Sequence, residues 1–263
     1  MKLVRYGGYK IGLIDDTSVK DISDLAGATA DEWPPVAMNR LIRDFAVLRP
    51  EIEKARSRSG TPLKDVKLMT PIPWPNKVIA YPVNYHDHGA EMGAGYRANT
   101  QGFFLKPSSS LSGASEPIVL PAVTGRRIDH ECELAIVIGK EERVARKAAD
   151  TFCPVGPWIV TADEITNPAN LRGRLWVNDE LRQDANTKDW VLDLPGMIEM
   201  ASAIMTIYPG DIVAAGTPAG VGAIKAGDKV RIHFEQVGEM TLDVVQGKTG
   251  AGSIFKNPPE AAG

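Results

Sequence analysis

Two cysteines are all this chain has, Cys132 and Cys153, too few for a disulfide framework and without the spacing of a zinc site. That scarcity fits a reducing compartment, and a cytoplasmic protein is expected. Long apolar runs are lacking too: nothing approaches the roughly 18 apolar residues of a membrane span. The stretch from Met1 to Asp16 carries Lys2, Arg5, Lys10, Asp15 and Asp16 where a signal peptide would have an apolar core. An excess of charge is also missing. With 30 Lys and Arg against 33 Asp and Glu the net charge is −3, which offers no basic field to a phosphate backbone. Neither nucleic acid nor a membrane is an expected partner. No Gly-x-Ser-x-Gly elbow, phosphate-binding loop or dinucleotide fingerprint occurs, so a serine nucleophile and a nucleotide cofactor have no support.

What is present describes a folded chain rich in turns: 43% hydrophobic and 24% charged residues, with 25 Gly and 19 Pro. At about 150 residues per domain, 263 residues make one large domain, or a large one with a small one. From Lys2 to Ile22, alternating apolar residues punctuated by Gly7-Gly8 and Asp15-Asp16 read as hairpins. Leu41, Ile42, Phe45, Ala46 and Leu48 follow at near-helical spacing. Pro71, Pro73 and Pro75 then place a boundary, giving a small N-terminal α+β domain over 1–70 and a second domain over 71–263. Beyond the boundary, short β-like blocks dominate, among them Lys77 to Tyr81, Gly102 to Lys106, Cys132 to Ile138, Arg172 to Val177 and Lys229 to Phe234. One helix, Pro195 to Met205, interrupts them. The expected fold class is α+β, mostly β, with a β-rich sandwich or barrel-like second domain.

Three segments carry chemistry. In Asp129-His130-Glu131-Cys132-Glu133-Leu134-Ala135-Ile136-Val137-Ile138, a strand would project Glu131 and Glu133 to one face and Cys132, Leu134, Ile136 and Ile138 to the other. Paired hard-oxygen ligands suit Mg²⁺, Mn²⁺ or Ca²⁺ better than zinc; the same pair also reads as a solvated strand end. In Asn84-Tyr85-His86-Asp87-His88-Gly89-Ala90-Glu91, a helical turn opening at His88 would bring Glu91, three positions on, against the imidazole and make a general base. A His-x-His zinc pair of His86 and His88, with His130 as a third ligand, is the rival reading. The third segment is split between Phe103 to Ser110 and Ala215 to Gly222. Lys106, Ser108, Thr217 and backbone N–H groups there suit a carboxylate or an enolate, although each stretch also reads as a plain turn.

Taken in order, Asn84 to Met92, Phe103-Phe104-Leu105-Lys106-Pro107, Asp129-x-Glu131-x-Glu133-Leu134, Trp176-Val177-Asn178-Asp179, Pro209-Gly210-Asp211 and Gly216-Thr217-Pro218-Ala219-Gly220-Val221-Gly222 resemble the two-domain bacterial branch of the fumarylacetoacetate hydrolase family. The resemblance implies a β-rich catalytic domain, a homodimer, and Mg²⁺ or Mn²⁺ on three carboxylates, two of which map to Glu131 and Glu133. It also implies a His88/Glu91 dyad, with Lys106, Ser108 and Thr217 at the acid end of a small 2-oxo acid substrate. The implied activity is hydrolysis of a carbon–carbon bond in an acylpyruvate-like 1,3-diketo acid of aromatic catabolism. Decarboxylation or isomerisation of 2-oxo or 2-hydroxydienoic acids, and a non-catalytic relative, are the alternatives. The chain departs from the pattern at one place. Between Asp150 and Thr151 it omits a few dozen residues that in relatives bring the third metal ligand, an Arg and an active-site Lys. A structural break at that junction, and no complete three-carboxylate site, are therefore expected.

Overall fold

A computed structural model of the chain describes residues 1–93, 97–120, 127–139, 153–203 and 207–247. The N-terminal hairpins form as the glycine and aspartate punctuation predicts. Lys2–Tyr6 pairs antiparallel with Lys10–Asp15, and that strand with Ser18–Asp21, while Gly7 and Gly8 take the positive φ the first turn needs. Gly60–Pro62 extends one edge, and Ile159–Val160, from far along the chain, covers the other. Helices Ala37–Arg43 and Phe45–Lys54 pack Met38, Leu41 and Ile52 onto this sheet in a core that also takes in Ile72, Val78, Cys153 and Ile212.

Two further sheets position the site. A four-stranded sheet runs in the order Ala135–Val137, Ile212–Ala214, Val78–Ala80, Phe104–Lys106, with the central pair parallel and the outer pairs antiparallel. A five-stranded sheet runs in the order Glu180–Asn186, Arg172–Val177, Lys229–Phe234, Gly238–Gln246, Ile118–Leu120. The polar segment after Val177 makes a hairpin because Asn178 and Asp179 both adopt positive φ, 50° and 66°, the conformation of a two-residue turn that matches strand twist. Helix Leu194–Ser202 starts where the Gly196 N–H donates to the Asp193 carboxylate at 2.8 Å, with Pro195 in its first turn, and buries Met197 and Ala201. The fold is thus α+β and mostly β. No closed barrel forms among the described residues, and the sandwich reading holds.

Two expectations need comment. The block Cys132 to Ile138 is not one strand: Asp129–His130 pairs with Gly222–Ala223, residues 131–134 lie outside any strand, and only Ala135–Val137 joins the four-stranded sheet. The chain passes between two sheets there, and the carboxylates sit in the crossing. The expected break between Asp150 and Thr151 lies outside the described residues. Two motifs of the resemblance prove to be structural. Asp211, fully buried, accepts from the N–H groups of Lys77 and Tyr208 and pairs with the Lys77 ammonium at 2.9 Å, which locks the Pro209-Gly210-Asp211 turn. Asn178 bridges Asp228 and the Lys229 N–H.

Candidate active site

The short helix His86–Glu91 brings the dyad together by spacing alone. Residues three apart share a helix face, and His88 Nδ1 meets Glu91 Oε2 at 2.9 Å, with the histidine side chain 6% exposed and the glutamate 39%. With Nδ1–H donating to the carboxylate, Nε2 is left as the acceptor, the tautomer a general base needs. Residues two apart on a helix do not face each other, so His86, which is exposed, points away from His88. Among the described residues no group of three His, Cys, Asp or Glu side chains converges. The His86/His88/His130 zinc reading is therefore set aside.

The glycine loop closes over the dyad. The Gly220 N–H donates to Glu91 Oε1 at 3.4 Å, and the Gly216 N–H donates to Glu133 Oε2 at 2.8 Å. Both glycines are dictated by space and conformation. At Gly220 (φ 95°) a Cβ would lie 1.9 Å from the Arg182 carbonyl oxygen, and at Gly216 (φ 92°) it would lie 2.6 Å from the Asn84 Cβ. One loop therefore ties the base-orienting Glu91 to Glu133 through backbone N–H groups four residues apart.

Glu131, Glu133 and Lys106 form the second half. Lys106 Nζ lies 3.6 Å from Glu133 Oε1, with both side chains largely buried, 19% and 12% exposed. Burial opposes the charge on Lys106, but the carboxylates of Glu133 and Glu131 outweigh it and raise the ammonium above its ordinary range. Glu131 is pushed the other way. Surrounding protein and the Glu133 carboxylate raise its carboxyl, and the Lys106 ammonium only partly counters that. The Glu131 surface that stays open belongs to the wall of a cavity. This pair fits a divalent cation. Its donors are hard oxygens held close enough to repel, and a cation of the Mg²⁺ type is commonly held by one or two carboxylates together with water and substrate oxygens. The third carboxylate of the resemblance is not found among the described residues.

Thr217 is buried, and its hydroxyl oxygen accepts from Gln183 Nε2 at 2.9 Å, leaving its own O–H free to donate. Ser108 lies farther out, half-buried in the turn Ser108–Ser110 that follows the Lys106 strand. Two residues that hold the site together were not singled out from the sequence. Gln183, 1% exposed, accepts from the Cys132 N–H at 2.9 Å and donates to Thr217 and to the Pro218 carbonyl, so it joins the carboxylate crossing to the glycine loop. Asn84, fully buried, donates to the carbonyls of Ala215 and Leu192 and accepts from the Leu192 N–H. Asn84 stood inside the first motif, but nothing in the charged run from Asp179 to Asp184 marked Gln183 as buried.

Known proteins resemble this chain. The model of the Fumarylacetoacetate (FAA) hydrolase C-terminal family matches residues 77–145 and 141–245. Maleylpyruvate hydrolase of Aquipseudomonas alcaligenes is 36% identical over 285 residues, which cover 93% of this chain and 99% of that protein. The crystal structure of maleylpyruvate hydrolase from Sphingobium sp. SYK-6 in complex with manganese(II) and pyruvate superposes with a TM-score of 0.86 at 52% identity, over 94% of this chain and all of that one. A probable 2-hydroxyhepta-2,4-diene-1,7-dioate isomerase from Mycobacterium abscessus superposes at 0.76 with 28% identity, over 94% and 99%. With a family model matched across more than half its length, this chain belongs to the fumarylacetoacetate hydrolase family.

Proposed function

We propose that the protein is a divalent-metal-dependent hydrolase that cleaves a carbon–carbon bond in an acylpyruvate-like 1,3-diketo acid, giving a carboxylic acid and pyruvate. The observation that carries this reading is the pairing of a base-type dyad, His88 Nδ1 to Glu91 at 2.9 Å, with a carboxylate pair whose inner member, Glu133, one glycine loop links to that dyad. The likeness to a maleylpyruvate hydrolase whose structure holds manganese and pyruvate supports it.

Glu131 and Glu133 would hold the cation, Mg²⁺ or Mn²⁺, which when bound supplies positive charge to the 2-oxo acid end and to the enolate that leaves. Lys106 adds a fixed cation beside that end, and Thr217 has a hydroxyl proton to offer an oxyanion. His88 Nε2 takes a proton from water as the water attacks the distal carbonyl. Glu91 holds the ring in that tautomer and stabilises the imidazolium that results. The same proton can return to the departing carbon, which balances water addition against release of an acid and pyruvate. In this reading the protein is a cytoplasmic homodimer of aromatic catabolism.

The test is a panel assay with Mn²⁺, Mg²⁺ or chelator present. Cation-dependent pyruvate release from acylpyruvates is expected. Carbon dioxide release from oxaloacetate, or interconversion of hydroxydienoates, with no cleavage of the acylpyruvates would instead place the protein with the decarboxylases or isomerases.

A further inference from the structure

Gln183 is aimed by an irregularity in its own strand. Where Arg172–Val177 pairs with Glu180–Asn186, Leu175 is matched to Gln183 but Trp176 to Leu181, so Arg182 is the extra residue of a β-bulge. Bulges re-aim side chains and are common beside active sites. Here Glu180, Leu181 and Arg182 are all exposed, and Gln183 turns inward on the face of the fully buried Leu175. The bulged residue also meets the glycine loop, because its carbonyl oxygen occupies the space a side chain at Gly220 would need.

Inside, the Gln183 amide has one orientation open to it. The Cys132 N–H can only donate and the Pro218 carbonyl can only accept, so Oε1 faces the first at 2.9 Å and Nε2 the second at 2.8 Å. The other Nε2 hydrogen goes to Thr217 Oγ1 at 2.9 Å, and the direction of that bond is settled with the rest. A hydroxyl that accepts from an amide turns its own proton elsewhere. Among the described residues the Thr217 hydroxyl has no second partner. Thr217 follows Gly216, whose N–H anchors Glu133, and Cys132 separates Glu131 from Glu133. One side chain thus grips both the segment that carries the carboxylates and the hydroxyl next to the Glu133 anchor.

We propose that Gln183 is a positioning residue: it compels Thr217 to act as a donor, so that the Thr217 proton is presented to an anionic oxygen of the bound 2-oxo acid or of the enolate formed from it. The proposal rests on the reading above, in which Thr217 offers its proton to that oxyanion. A donor fixed in place before charge develops needs no reorganisation when the charge appears. Without Gln183 the hydroxyl can rotate, and the Pro218 carbonyl, left without its own donor, competes for the proton.

The experiment measures, by calorimetry, how the manganese-loaded protein binds oxalate, a planar dianion shaped like the enolate of pyruvate. Wild type, Gln183→Met, Thr217→Val and the double variant form the cycle, each checked for native circular dichroism. Each single variant should lose about tenfold or more in affinity, the worth of a hydrogen bond to a charged group. The double variant should lose no more than Thr217→Val alone, and Thr217→Ser, which keeps the hydroxyl, should bind as wild type does. If Gln183→Met does not fold, Gln183→Glu takes its place: its loss should shrink by the same factor once Thr217 is Val, the remainder being the effect of its charge. A glutamine that only braced the fold would cost the same affinity in both backgrounds. Equal losses in both backgrounds, a Gln183 variant or Thr217→Val that binds as wild type does, or no oxalate binding by the wild type, overturn the proposal. Pyruvate release from an acylpyruvate, assayed on the same proteins, tests the hydrolytic reading separately. The expected cycle without pyruvate release upholds the role of Gln183 and overturns hydrolysis, and equal losses with release intact do the reverse.

Discussion

The two halves of the site are built differently. Around the dyad, polar groups are closely satisfied: Asn84, Gln183 and the N–H groups of Gly216 and Gly220 spend their hydrogen bonds fixing His88, Glu91, Glu133 and the glycine loop in one arrangement. On the carboxylate side, Glu131 opens onto a cavity walled by apolar strands, and its charge is compensated from a distance by Lys106. The difference teaches that positioning of the base comes from local spacing and a dense backbone network. Charge handling and substrate choice are left to groups with room around them.

This contrast is open to direct attack, and the largest effect should come from the carboxylates. Replacing Glu131 and Glu133 together by Gln should reduce Mn²⁺ affinity by at least about a hundredfold, because a hard cation loses its charged oxygens. The melting temperature in chelator should fall, since the largely buried Lys106 ammonium loses both carboxylates that hold its charge. Calorimetric titration and a melting curve check both. Next comes the satisfied half. Asn84→Ala should cost about 3 kcal/mol in denaturant unfolding, because buried groups at Ala215 and Leu192 are left without partners, whereas Ser108→Ala should change stability little. Glu91→Gln should lower turnover about 10- to 100-fold, the loss of a charge-assisted hydrogen bond worth about 1.5–3 kcal/mol, with Mn²⁺ binding intact.

The smallest effect expected is a pH dependence. Burial pushes the His130 imidazole below its ordinary value, so the folded state resists a proton that the unfolded chain accepts. As pH falls below about 6.5 the unfolded state binds the extra proton and stability declines, down to the lowered folded value. His130→Gln should flatten that limb of the melting-temperature profile measured in chelator.

Much of the dyad half was legible in the sequence, because an i, i+3 pair on one turn and a strand-turn-strand pattern are local properties. The Gly7-Gly8 hairpin was legible for the same reason. The carboxylate half was only partly so. Alternation puts Glu131 and Glu133 on one side of a strand, but the segment crosses between sheets instead of lying in one, which depends on pairings with residues near 213 and 222. Gln183 stands in sequence among charged residues, Glu180, Arg182 and Asp184. Its burial comes from the arrival of the 215–222 loop more than thirty residues later.

The measurement that bears most directly on the account pairs pyruvate release from an acylpyruvate with Mn²⁺ binding, both on His88→Ala. Removal of a general base should lower release by about 10²–10⁴-fold while the Mn²⁺ dissociation constant stays at the wild-type value, because the cation belongs to the other half of the site. Unchanged release, or cation binding lost along with it, would contradict the division of labour between His88 and the Glu131/Glu133 pair.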